Sequence, residues 1–69
     1  MDYYVTYSGN SVTIHKGENG ARMNTYNVNH DIQDVEVCGD EFYAIGSRVT
    51  TTFRHLSGYS FTRTGTHLN

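Results

Sequence analysis

Several residue types are scarce or missing in this 69-residue chain, and each shortage excludes a class of protein. Proline and tryptophan are absent, and Cys38 is the only cysteine. A single cysteine excludes an intrachain disulfide framework, and no run approaches the about 20 apolar residues of a membrane helix. Residues 1–69 make a single domain at most, and so small a core leaves a thin margin over chain entropy. We therefore expect self-association to add stability, and Cys38 to be a buried strand thiol.

Charge is also sparse. Five Lys and Arg residues against seven acids give a net charge of −2, which argues against a basic surface for extended nucleic acid. All seven acids lie in residues 1–47, and three of the five cations follow them. This asymmetry suits head-to-tail packing of subunits or one pocket for a small anion. The N-terminus lacks a basic lead-in and an apolar core, so we expect no secretory signal, no membrane association and a cytoplasmic protein.

The residues that are abundant favour β-structure. Nine Thr, six Tyr and three Phe stand against two Leu and one Lys, and apolar residues alternate with polar ones instead of recurring at helical spacing. Gly-Asn, Gly-Asp, Ser-Gly and Asn19-Gly20 pairs separate the alternating runs, and the last of these is typical of a hairpin turn. The pattern predicts an all-β antiparallel fold of about seven strands, at 2–8, 11–16, 21–28, 32–38, 41–46, 49–55 and 58–64. The alternation changes phase near Asp34, which indicates a bulge there.

The two halves of the chain echo one another at a spacing of 39 residues. Residues 2–5 (DYYV) match 41–44 (EFYA), and 11–16 (SVTIHK) match 50–55 (TTTFRH) in chemical type. We interpret this as two imperfect β-meander units, 2–28 and 32–64. Units of this size need neighbours to cover their faces. A small β-sandwich or barrel with accidental self-similarity is the alternative.

The second unit resembles the start of a β-propeller blade. A short apolar strand, 32–38, ends in Gly39-Asp40, and the next strand begins with the aromatic pair Phe42-Tyr43. The resemblance covers residues 32–64 and lacks the Trp-Asp and Gly-His marks of one common repeat class. It implies that the first unit is a blade without its innermost strand. Because propellers need about four to eight blades, several chains would have to assemble one ring.

The four histidines prompt a search for a metal or catalytic site. Their spacing provides no pair of metal ligands two to five residues apart. A hydrolase or nuclease could use His15, His30 or His55 as acid and base with Arg54 or Arg63 on the developing charge, but no spacing selects them. We therefore assign no catalytic residue, metal or cofactor.

Tyrosine is the better functional signal, because its rigid amphipathic ring is favoured at interfaces. Both units double an aromatic at the same position, so one ring of each pair should face outward. We predict a small non-catalytic binding module, homo-oligomeric, that engages a partner protein; virus-encoded inhibitors often take this form. The alternative is an oligomer that captures a small anionic, nucleotide-like or sugar ligand between subunits. Candidate contact residues are Tyr4, Tyr43, Arg54, His55, Tyr59 and Arg63.

Overall fold

The computed structural model describes residues 2–69, which form seven antiparallel strands and no helix. The strands are β1 Tyr3–Ser8, β2 Ser11–Lys16, β3 Arg22–Asn27, β4 Asp34–Cys38, β5 Glu41–Ile45, β6 Val49–Ser57 and β7 Ser60–Leu68. They make a three-stranded sheet, β1-β2-β3, and a four-stranded sheet, β4-β5-β6-β7. Each sheet is a meander, so the predicted all-β antiparallel fold is confirmed.

Three of the hairpins close through two-residue turns that begin with glycine. Gly9, Gly39 and Gly58 have φ of 61°, 63° and 54°, and no other residue type in 2–69 has positive φ. A glycine with positive φ at the first central position is the signature of a type II′ turn, whose twist matches that of antiparallel strands. The Asn19-Gly20 pair lies in the connection of the β2–β3 hairpin, as predicted, and Gly20, at 74°, is the residue there with positive φ.

The two sheets pack their inner faces together around a small aromatic core. Phe42 and Phe53 stack with ring centroids 4.8 Å apart, and Phe61 meets Phe42 edge-on at 5.1 Å. Val12 and Ile14 supply the centre of the three-stranded sheet. The buried apolar residues are Val12, Ile14, Val28, Ile32, Phe42, Ala44, Phe53 and Phe61.

Residues 39 apart in the sequence occupy equivalent faces when β1 is compared with β5 and β2 with β6. Tyr3 and Phe42 both face the core, as do Ile14 and Phe53. The registers differ by two residues, because Tyr3 pairs with Lys16 whereas Phe42 pairs with Phe53. A shift of two preserves which face each side chain occupies.

Two local predictions were wrong. Cys38 is a free, exposed thiol and not a buried one, because it ends β4 on the face that no other sheet covers. The expected irregularity near Asp34 is the start of β4 and not a bulge. Register shifts occur instead at Ile14/His15, at Thr52/Phe53 and at His55/Ser57. No helix in the described residues is long and apolar enough to cross a membrane.

Candidate functional site

The outer face of the four-stranded sheet, which points away from the core, is the candidate site. Alternation along the strands places three residues of each on it, in three cross-strand rows. The rows are Cys38-Glu41-Arg54-Thr62, Glu36-Tyr43-Thr52-Gly65 and Asp34-Ile45-Thr50-His67.

Strand β5 is apolar on both of its faces. Phe42 and Ala44 point inward and are completely buried. Tyr43 and Ile45 point outward, are only half-buried, and form the floor of an open hollow of about 410 Å³ with Thr50 and His67. A strand with apolar side chains on both faces is typical of one covered on both sides.

Hydrogen bonds of Asn69 stabilise the strands around the hollow. The Thr50 hydroxyl donates to Asn69 Oδ1 at 2.6 Å, and Asn69 Nδ2 donates to the Gly46 carbonyl at 2.8 Å. Asn69 N also donates to the Arg48 carbonyl at 2.9 Å. These bonds hold the last residues of β7 beside β6, which positions His67 over the hollow.

Charge is segregated across this outer face. Asp34, Glu36 and Glu41 lie on β4 and β5, whereas Arg54 and His67 lie on β6 and β7. The negative charge of Glu41, with lesser contributions from burial, Cys38 and Glu36, raises the pKa of Tyr43. The Tyr43 hydroxyl therefore stays neutral at physiological pH, as a donor and acceptor beside the hollow.

On the outer face of the three-stranded sheet, Tyr4 and His15 contact each other, and Tyr4 remains 43% exposed. Tyr4 stacks on His15 with ring centroids 4.7 Å apart and planes 6° from parallel. His15 Nδ1 donates to the Gly20 carbonyl at 3.0 Å, so its Nε2 accepts from the Thr6 hydroxyl at 2.7 Å. Both ring nitrogens are thus used within the sheet.

Two further histidines, His30 and His55, also hold the fold. His30 Nδ1 donates to the Asp31 carbonyl and its Nε2 meets the fully buried Thr51 hydroxyl, both at 2.7 Å. His55 Nε2 donates to the Gly58 carbonyl at 2.8 Å, and its ring packs edge-on against Phe61. Among residues 2–69 no three His, Cys, Asp or Glu side chains are grouped as metal ligands would be.

The structure does not bring the six sequence-predicted contact residues together. Tyr43 and Arg54 share the outer face of the four-stranded sheet, whereas Tyr4 lies on the outer face of the other sheet. Arg63 pairs with Phe53 on the inward-facing side of β7 and is exposed there. The other two, His55 and Tyr59, pack against the core near the β6–β7 turn.

Comparison of the chain with protein-family models, with curated proteins and with solved structures finds no match in any of the three.

Sequence reasoning missed Ile45, Thr50 and His67. Ile45 could have been found from the sequence. Apart from Glu41, residues 41–45 are apolar or aromatic on both faces of the strand, which indicates a strand covered on both sides. His67 had no such signal, because 62–67 has no apolar alternation from which a strand could be predicted.

Proposed function

We propose that this chain is a non-catalytic binding module, homo-oligomeric, whose docking surface is the outer face of the four-stranded sheet and whose occupant there is a second copy of the chain. One observation carries the proposal: β5 presents the half-buried Tyr43 and Ile45 on a face against which no other sheet of residues 2–69 packs, while Phe42 and Ala44 on its other face are completely buried. Covering Tyr43 and Ile45 would remove apolar surface from water, and such burial drives association.

The non-catalytic part of the proposal is supported by the use of the histidines. The ring nitrogens of His15, His30 and His55 form hydrogen bonds with carbonyl or hydroxyl groups of the chain itself. The docking proposal is supported by the hollow beside Tyr43 and Ile45, which lies on the outer face of the four-stranded sheet. A cytoplasmic setting suits the exposed thiol of Cys38, because thiols stay reduced there.

The test compares two tyrosines on opposite outer faces. We expect the wild-type chain to self-associate in sedimentation velocity between about 1 μM and about 1 mM, the range in which small interfaces dissociate. Tyr43→Ser should weaken association at least about tenfold, the loss typical of a central aromatic anchor. Tyr4→Ser is the matched control and should leave it unchanged.

A wild-type chain that stays monomeric throughout that range would refute the proposal. Equal weakening by both substitutions would also count against it, because the docking surface would then not be the outer face that carries Tyr43. Inhibition of a partner protein remains a prediction beyond this proposal.

The second candidate function is capture of a small ligand, and the hollow favours it. Its volume of about 410 Å³ lies in the range of small-molecule sites, and Tyr43 offers a ring face and His67 a hydrogen-bonding ring nitrogen for a sugar or an anionic nucleotide. Capture predicts that nucleotides or sugars raise the melting temperature in proportion to the logarithm of their concentration, and that Tyr43→Ser removes this effect.

A further inference from the structure

The outer face of the four-stranded sheet is complementary in charge to itself, and this defines how two copies fit. Its acids stand at one side, on β4 and β5, and Arg54 and His67 stand at the other, on β6 and β7. Glu41 and Arg54 are opposite one another on adjacent strands, yet Lys16–Glu18 is the only salt bridge among residues 2–69. The Glu41 and Arg54 charges are therefore available to a partner.

Two arrangements place this face against its own copy about a twofold axis lying between the sheets. An axis perpendicular to the strands puts β4 over β4, which sets acid against acid. An axis parallel to the strands, between β5 and β6, puts β4 over the β7 of the other copy and β5 over its β6. Only the second arrangement sets opposite charges against each other, so electrostatics selects it.

We propose that two copies of this chain pack the outer faces of their four-stranded sheets together about a twofold axis parallel to the strands, with Glu41 of each facing Arg54 of the other. This inference rests on the proposed function and adds to it the geometry and the charge pairs of the interface.

The cross-strand rows specify the remaining contacts. The axis places each row over the same row of the other copy, with the strand order reversed. Asp34 of one copy therefore faces His67 of the other, and Ile45 faces Thr50. Tyr43 lies over Thr52, beside Gly65, which has no side chain and leaves space for the ring. Packed sheets align at about −30°, so the pairs formed by β5 and β6, the two strands beside the axis, keep this register best.

The size of the face determines the expected strength. Four strands about 4.8 Å apart and three alternate residues along each give a projected area of roughly 300 Å² per copy. That is small for a specific interface, so we expect a concentration-dependent dimer and not an obligate one. Because its charge pairs are near solvent, added salt should weaken it.

The test uses complementary charge reversal in the full chain. Glu41→Arg places two arginines at each contact of its own homodimer, and Arg54→Glu places two glutamates there, so each variant alone should associate about tenfold or more weakly than wild type. An equimolar mixture should regain association, because every contact then joins one arginine to one glutamate. Circular dichroism and the melting temperature establish that both variants are folded.

Matched controls change the same charges elsewhere. The controls are Glu18→Arg and Arg22→Glu. Residue 18 lies in the β2–β3 turn and residue 22 in β3, so neither is on the outer face of the four-stranded sheet. Alone or mixed, they should associate as the wild type does. If they lost association as strongly as the Glu41 and Arg54 variants, net charge and not the proposed pairing would be responsible, and the inference would be overturned.

The outcomes separate this inference from the function on which it rests. Recovery in the Glu41→Arg and Arg54→Glu mixture supports the pairing. A wild-type chain that associates through Tyr43, combined with a mixture that stays dissociated, overturns the twofold geometry while the docking surface stands. A monomeric wild-type chain overturns both.

Discussion

At the scale of single residues, His30 holds the segment between the two sheets in place. Its Nδ1 donates to the Asp31 carbonyl and its Nε2 accepts from Thr51, whose hydroxyl is completely buried. The Asp31 carboxylate in turn accepts from the backbone amide and the hydroxyl of Ser47. The histidine and the aspartate therefore attach the β3–β4 connection to the turn before β6.

This role predicts a structural penalty at His30. We expect His30→Ala to lower the free energy of unfolding by about 1–3 kcal/mol, because it leaves the buried Thr51 hydroxyl without its partner. Adding Thr51→Val should recover part of the loss, since no unpaired polar group then remains. Urea unfolding measures both. His67→Ala, at an exposed position, should change stability by less than about 0.5 kcal/mol.

At the scale of elements, the tight hairpins depend on the backbone freedom of glycine. Gly39 has φ of 63°, and a Cβ built on it would meet nothing within 4 Å. Gly65, inside β7, is equally open, but its φ is not in the left-handed region. The two positions thus separate backbone strain from steric crowding.

We expect Gly39→Ala to cost about 1–2 kcal/mol, the penalty for an L-residue at positive φ. Gly65→Ala should be neutral or stabilising by up to about 1 kcal/mol, because alanine narrows the unfolded ensemble. Thermal unfolding resolves the difference, since 1 kcal/mol shifts the midpoint of so small a domain by about 4–8 °C. The chain should be dilute enough to be monomeric, as Gly65 lies on the proposed interface. Equal losses would show that positive φ is not what Gly39 provides.

The strands could be predicted from the sequence, but their ends could not. All seven predicted strands exist, because alternation and Gly-containing turns act locally. Strand β7 runs to Leu68 instead of 64, since Asn69 ties its end to Arg48, Thr50 and Gly46 across the sheet. Strand β4 begins at Asp34 and not at 32, because the Ile32 amide donates to the Gly9 carbonyl in the β1–β2 turn. Neither tertiary contact leaves a local pattern.

The candidate site was predictable only in part, for the same reason. The adjacent aromatics Phe42 and Tyr43 predicted that one of the two rings faces outward. Alternation along the β6 segment likewise predicted that Arg54 lies on the face opposite to Phe53. Which of Phe42 and Tyr43 points inward depends on how the sheets meet, and the pattern is symmetric between them. The outward place of Tyr43 beside His67 therefore needed the structure.

At the scale of the whole molecule, tyrosine hydroxyls connect the two sheets. The Tyr3 hydroxyl donates to the Gly39 and Glu41 carbonyls at 3.3 and 3.4 Å, and Tyr7 donates to the Gln33 carbonyl at 2.7 Å. The Phe61 amide donates to the Tyr26 hydroxyl at 2.7 Å. Three of the six tyrosines thus serve the contact between the chain's own sheets.

The Tyr3 contact makes the joining of the sheets sensitive to alkaline pH. Burial, followed by the negative charges of Asp40 and Cys38, raises the pKa of Tyr3 above its ordinary value of 10.0. A group whose pKa is raised on folding adds stability that is fully present below the unfolded value and is lost as the pH rises through the folded value. The ionised oxygen also cannot donate to the Gly39 and Glu41 carbonyls.

We therefore expect the wild-type chain to lose stability above about pH 10 more steeply than Tyr3→Phe does. The measurement is urea unfolding at a series of pH values from neutral upward, at constant ionic strength and in dilute solution. Tyr4→Phe, in which the altered ring stacks on His15 of its own sheet, should keep the wild-type slope because it adds nothing to the contact between sheets. Identical pH profiles for wild type and Tyr3→Phe would mean that ionisation of Tyr3 is not coupled to folding. The alkaline loss would then have to come from other tyrosines, among them Tyr43, whose pKa is raised mainly by Glu41.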